Sequence, residues 1–386
     1  MPLRRIGRVQ QPLTSRVVDL FLELCAIPSP PGEERAVADR VTAELDRLGL
    51  AWEEDDAAER LGSSTGNIVC RLPGAIEGGV PLFLCAHLDT VPLDGALDPV
   101  IDEDGLVRNA GGTILGADNK SAVVAMLEAA RRVVVEGRRH AGVELVFTPK
   151  EEIGLLGAME LDLQRLEGRI GYVYDQAAPI GEVILGAPSA QELALRFHGR
   201  SAHAGMYPEE GRSAILAASR AIVDMPLGRI DELTSANVGL VRGGTARNIV
   251  PEWCELEAEV RSHDFDRVGE VVQQIVDASA FAAAISDCTL ETRIEQKYRG
   301  YRHRSDDLAV RVACDALTRT GYEPQLTLSG GAADANVFTV RGLPCVNLAN
   351  GMVDIHTPDE RIAVHDLERM VDVTLALVDA AAETPA

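Results

Sequence analysis

Apolar positions recur along this chain with two spacings, one helical and one extended, and the two alternate. Residues 14–25, TSRVVDLFLELC, carry apolar positions at helical intervals behind a Thr/Ser pair suited to capping a first turn. IPSPPGEE breaks that helix, and a second amphipathic stretch over 33–50 closes near Gly49. Strands are predicted at 66–72 and 81–86, the latter an uninterrupted apolar run bounded by Pro81 and Pro92. Such a run predicts a strand buried on both faces, as in a mostly parallel sheet. A long Gly/Asp-rich connection over 93–117 follows, and structureless segments of that length inside a domain are usually functional. Helix 119–135, strand 143–148 and strand 170–175 continue a βα alternation, which predicts helices on both faces of a mixed, mostly parallel sheet.

The rhythm changes near Pro188. Strand 191–198, helix 211–224, strands 236–241 and 253–261, helix 266–285 and strand 289–298 follow the βαββαβ order of a ferredoxin-like α+β unit. After Tyr301 the α/β rhythm returns, with helix 305–320, strand 324–328, helix 334–341, strand 343–348 and a closing helix 366–381. The expected division is therefore 1–187 and 301–386 as two parts of one α/β domain, with 188–300 inserted between them.

Length and charge narrow the function classes. The 386 residues suffice for two or three domains, and a formal charge of −23 with no basic stripe argues against a nucleic-acid partner. Seven scattered cysteines without CxxC spacing, several in apolar runs, predict buried thiols in a reducing compartment. The start MPLRRIGRVQQPL has no apolar stretch of signal length, and no run approaches the ~18 residues of a membrane span. A cytoplasmic protein with no membrane partner is expected.

Candidate chemistry collects at strand ends, where open α/β sheets bind ligands. His87 closes the buried strand, and Asp89, two residues on, is expected to project to the same side and accept the imidazole N–H. Glu151 and Glu152 follow strand 143–148, Asp175 ends strand 170–175, and His356 follows strand 343–348 in NGMVDIHTPDE. Asp118 sits at a helix start in LGADNKSA. Two imidazoles among three carboxylates suit a pair of borderline divalent cations, zinc first, with cobalt or manganese as alternatives. Five ligands serve two ions only if one bridges, and Asp118 has the two oxygens to do so. In the adjacent pair Glu151-Glu152 the side chains diverge, so that one carboxylate can bind metal while the other faces a water as general base.

The motifs FLCAHLDTVP, LGADNKSAVVAMLEA, FTPKEEIGLLGA, YVYDQ, GRSAHAG, GGTARNIVP, SGGAADAN and IHTPDE, in that order across nearly the whole chain, resemble the dimetal peptidases. That family includes peptidase T, carnosinase-type dipeptidases, aminoacylase and carboxypeptidase G, and the likeness is strongest to the peptidase-T branch. The resemblance implies His87 and Asp175 on one metal, Glu152 and His356 on the other, Asp118 on both, Glu151 as catalytic base and Asp89 as the support of His87. It also implies that the inserted domain is a lid that mediates homodimerisation. Substrate contacts carried over are His203, reaching a partner subunit's site, with Asn248 and Arg261, the latter a carboxylate clamp. Gly330 and Gly331 suggest a loop where backbone approaches substrate. His140, His198, His263, His303 and His365 lie outside every matching motif and are expected to be structural or surface residues.

The implied activity is metal-dependent hydrolysis of short peptides, of the tripeptide-aminopeptidase kind. In this family Asp at the Asp175 position accompanies aminopeptidases and dipeptidases, whereas Glu accompanies carboxypeptidases and deacylases. The alternatives are an amidohydrolase, deacylase or carboxypeptidase acting on N-acylated amino acids and, more remotely, a non-catalytic binding protein on the same fold. Lys150 and Ile153 flank the Glu pair where relatives carry smaller residues or Ser, a departure that bears on specificity and not on the ligands.

Overall fold

The computed structural model describes residues 15–92 and 94–385. The expectations for the basic start and for Thr14 as a cap lie outside the described residues. Two compact units are formed, one by the residues up to Val183 with Ser305–Leu326 and the segment from Leu343 onward, the other by Ile184–Arg304 with Thr327–Gly342.

The first unit is built on a mixed sheet. Its strands lie in the order Ala51–Glu54, Ile68–Leu72, Val143–Thr148, Leu82–His87, Ile170–Gln176 and Cys345–Ala349. The first two pairings are antiparallel and the next three parallel. Every position of Leu82–His87 and of Val143–Thr148 is buried, which explains why neither shows an apolar/polar alternation, Glu144 being the one charged residue of the two. Gly171 lies opposite Phe83, and a Cβ there would stand 2.0 Å from the ring, so only glycine lets the aromatic side chain cross its neighbour. Helix Ala117–Glu136 packs against the strands Leu82–His87 and Ile170–Gln176, and Val364–Glu383 packs on that helix. Parallel registration carries Leu82↔Val143 through to His87↔Thr148, so the chain leaves Thr148 toward Glu151 beside His87. Asn347 donates to the Asp175 carbonyl and accepts from its amide, both at 2.9 Å, fixing Asp175 against the strand Cys345–Ala349.

The long connection is less irregular than the composition predicts. It holds the strands Pro99–Ile101 and Leu106–Asn109, which pair with each other, the latter pairing on its other side with Arg361–Ala363. These elements, with Ala51–Glu54 and Ala57–Leu61, are too short to establish a period in the sequence.

In the second unit the sheet order is Gly228–Asp231, Thr234–Gly243, Trp253–Ser262, Ser189–His198, Thr289–Tyr298, antiparallel throughout. Leaving aside the short Gly228–Asp231, this is the ferredoxin-like order of a βαββαβ chain. Residues of Trp253–Ser262 alternate strictly between half-exposed and buried. The inward set, Cys254, Leu256 and Val260 with Leu193, Leu195 and Phe197, packs with Val268, Val271 and Ile275. Helix Phe265–Ile285 is, among the described residues, the one helix long and apolar enough by composition to cross a membrane, though Asp266, Arg267, Glu270 and Asp277 interrupt its apolar positions. One face of it is nevertheless buried through Val268, Val271, Val272 and Ile275.

Residues 327–342, read as part of the resumed α/β rhythm, belong to this second unit. Polar ties accompany this placement, beginning with the Ser329 amide, which donates to the Gly186 carbonyl at 3.0 Å. Asn336 donates to the carbonyls of Arg299 at 2.9 Å and Pro188 at 3.3 Å, and the ring of His263 donates to the Ser329 carbonyl at 2.9 Å.

Candidate metal centre

Three strand ends, one helix start and the turn before Arg361–Ala363, which carries His356, deliver five ligand-type side chains of the first unit to one place. His87 is the last residue of its strand, Asp175 the penultimate residue of Ile170–Gln176, and Glu152 lies four residues beyond Val143–Thr148. Asp118 lies in the first turn of Ala117–Glu136, where it and Asn119 depart from helical backbone angles. One oxygen of Asp118 is 3.1 Å from His87 Nε2 and the other 3.1 Å from His356 Nε2. His87 Nε2 is 4.0 Å from Asp175 Oδ1, and His356 Nε2 is 3.2 Å from Glu152 Oε2. Two groups result, His87 with Asp118 and Asp175, and Glu152 with Asp118 and His356, in each of which one donor atom per residue lies within 4.8 Å of the others.

The electrostatics suit a cation. Burial alone would raise the Asp118 carboxyl, but hydrogen bonds from His356 and His87 overturn this and hold it well below the usual carboxylate range. Hydrogen bonds to Asp118 and then Glu152 raise the His356 imidazole to about 10. His87 is also raised, burial opposing and the surrounding carboxylates prevailing. Glu152 is pushed up by burial, and the neighbouring charge of Asp118 adds to that. A field that holds protons on two imidazoles favours divalent cations in their place, and Glu152 Oε1 is buried there without a hydrogen-bond partner. The donor set therefore fits a pair of divalent ions.

Asp89 does not behave as the alternation rule predicts. The strand ends at His87, and the ring Nδ1 donates to the Asp89 carbonyl at 2.8 Å, while the carboxylate stays 3.6 Å away. That carboxylate instead accepts the backbone amides of Glu151 at 2.9 Å and Glu152 at 3.1 Å. One short segment thus orients an imidazole through its main chain and the Glu pair through its side chain. Glu34, also unread from the sequence, accepts the amides of Gly32 at 2.6 Å and Lys150 at 3.2 Å and the Ser63 hydroxyl at 2.8 Å. Lys150, at a left-handed φ of 55°, donates its ammonium to the Leu61 carbonyl at 2.6 Å. Its size is thereby used as a brace behind Glu151.

Glu360 is the largest omission of the sequence reading. Buried to 1 % exposure, it accepts the amides of Leu115, Gly116 and Asp118 at 2.7, 2.8 and 2.9 Å. Burial raises its carboxyl to about 7 against those bonds. It stands four residues after His356 in IHTPDE, so a signal was present, but spacing alone does not say whether an acid after Pro-Asp points inward.

His203, Asn248, Arg261 and Gly331 belong to the second unit. There the Ala204 amide donates to the Asn248 carbonyl at 3.0 Å, and His203 bridges Ile249, so those two loops are laced together. His203 Nδ1 accepts the Gly205 and Met206 amides at 3.2 and 3.1 Å. The Arg261 fork is engaged by Glu259 at 3.1 and 3.0 Å, so any clamp on a ligand shares or displaces that carboxylate. Arg261 also lines a recess of about 220 Å³ with Arg229, His263 and Gly330, the neighbour of Gly331.

Comparison with known proteins places the chain in context. The profile of peptidase family M20/M25/M40 matches residues 83–380. The uncharacterized protein YqjE of Bacillus subtilis is 37 % identical over 368 residues, covering 95 % of this chain and 99 % of that one. A tripeptidase from Staphylococcus aureus superposes with a TM-score of 0.91 at 34 % identity, covering 96 % of this chain and 98 % of its own. The aminopeptidase PepT of Bacillus cereus gives 0.86 at 35 % identity, with 95 % and 98 % covered.

Proposed function

The chain belongs to peptidase family M20/M25/M40, and we propose that it is a metal-dependent hydrolase that removes residues from the free amino end of short peptides. The observation that carries the reading is the pair of donor groups joined through the two oxygens of Asp118. In this reading His87 and Asp175 hold one divalent cation, Glu152 and His356 the other, and Asp118 both. Zinc is the first choice, with cobalt or manganese as alternatives. Bound there, the cations supply Lewis-acid polarisation of the scissile carbonyl and bring the pKa of a water toward neutrality.

The remaining work falls to side chains. Glu151, buried beside the site and held through its amide by Asp89, takes the proton of the attacking water and passes it to the leaving amine. His87 keeps Nε2 toward Asp118 because Nδ1 is committed to the Asp89 carbonyl. His203, Asn248, Arg261 and Gly331 are the proposed substrate contacts, and a homodimer paired through the inserted segment is the proposed assembly, both on the strength of the family motifs. A cytoplasmic setting is supported by seven cysteines of which none forms a disulfide among the described residues.

Two similar proteins are named a tripeptidase and an aminopeptidase, which supports a free-amino substrate over an N-acylated one. A panel of di- and tripeptides, each with free and acetylated amino ends, decides the matter when assayed after chelation and after adding back zinc, cobalt or manganese. Cleavage of the free forms alone, lost on chelation and restored by metal, is expected. Preference for acetylated substrates would move the reading to a deacylase, and turnover that survives chelation would remove it.

A further inference from the structure

Glu360 stands outside both donor groups, and the reading above gives it no role. Its surroundings indicate one. The turn that carries His356 is closed at its base by paired bonds between Val353 and Arg361, each 3.0 Å, and braced inside by the Glu360 amide on the Thr357 carbonyl at 3.1 Å. Within it Asp354 and His356 hold left-handed φ values of 54° and 63°, a conformation that residues with a Cβ keep only when their surroundings enforce it. From this turn the Glu360 carboxylate crosses to the loop of Asp118 and accepts the amides of Leu115, Gly116 and Asp118, spanning 242 to 245 residues of sequence. A single buried carboxylate therefore ties the backbone of one ligand, Asp118, to the turn that presents another, His356.

We propose that Glu360 is a positioning residue: by locking the His356 turn onto the Asp118 loop it sets the separation of these two side chains and with it the affinity of the site for divalent cations. The inference rests on the metal reading of the site. Glu360→Gln keeps an acceptor but places an amide N–H against backbone N–H groups. Glu360→Asp keeps the charge but is one methylene too short to reach all three amides.

The control is Glu144→Gln. Glu144 is likewise buried and accepts two loop amides, of Glu167 at 2.9 Å and Gly168 at 2.8 Å, but at the opposite end of its strand from Glu151. Zinc affinity is read on the full chain by equilibrium competition with a chromophoric chelator, beside the melting midpoint of the metal-free protein.

Both Glu360 variants are expected to bind zinc about 10- to 100-fold more weakly, the usual effect of losing an outer partner of a ligand, while Glu144→Gln loses only stability. A loss in Gln but not in Asp would assign the effect to charge and overturn the positioning role. Equal affinities in all three variants, or an equal loss in the control, would overturn it as well. So would two Glu360 variants that fail to fold, since the carboxylate would then be a requirement of folding. If the wild-type chain itself takes up no divalent cation, the metal reading fails and not this inference alone.

Discussion

The acids at the sheet edge of the first unit and those on the open sheet face of the second differ in what satisfies them. Asp89, Glu360 and Glu34 are buried and accept backbone amides, so their positions are fixed by main chain that cannot move independently. On the second unit's sheet the acids are paired with basic side chains near water, as Glu295 with Arg293 at 3.2 Å and Glu192 with Lys297 at 3.3 Å. Exposed pairs of that kind are screened and contribute little, whereas a buried acid held by amides is fixed in its geometry. The acids of the first unit can therefore serve as a frame for cations. Those of the second mainly keep the face hydrated.

Four substitutions would break or sharpen this contrast. Asp118→Ala removes the shared ligand, and loss of bound metal with a fall in turnover of about 10⁴-fold or more is expected, read by metal analysis and peptide hydrolysis. Retention of two metals per chain would break the contrast at its centre. Glu151→Gln should lower kcat by about 10²- to 10⁴-fold with metal content unchanged, since Glu151 is assigned the proton transfer and is in neither donor group. Unaltered kcat would remove its role.

Leu256→Ala, in the apolar core of the second unit, should destabilise the fold by about 2–5 kcal/mol by calorimetry or denaturant titration and leave zinc affinity where it was. Weakened zinc binding would show that the second unit's core also supports the centre. Glu295→Gln is expected to leave both the melting midpoint, within about 2 °C, and zinc affinity unchanged. A large effect there would mean that the exposed acids are not merely a hydrated face.

Much of the centre is legible in the sequence because strand-terminal residues inherit their placement from local periodicity. His87 ends a run apolar at every step, and a run of that kind belongs only in the middle of a parallel sheet, whose carboxyl edge is where ligands gather. What escaped the reading has a common cause. The direction of the Asp89 carboxylate depends on which amides arrive beside it after the strand has ended, and those come from Glu151 and Glu152. Residues 327–342 carry a helical and extended pattern indistinguishable from that of the α/β unit, and tertiary bonds, among them those of Asn336, His263 and the Ser329 amide, tie them to the second unit instead.

By itself the amino-acid order determined which residues end the strands, which faces are apolar and which ligand types are available, since each follows from neighbours within a few positions. Tertiary structure alone decided that Asp118 meets both imidazoles and that Glu360 grips the loop between them. The contacts of Asp118 with His356 and of Glu360 with that loop join residues more than two hundred positions apart, and such pairings exist only once the sheet has closed and brought unsatisfied amides to a buried carboxylate.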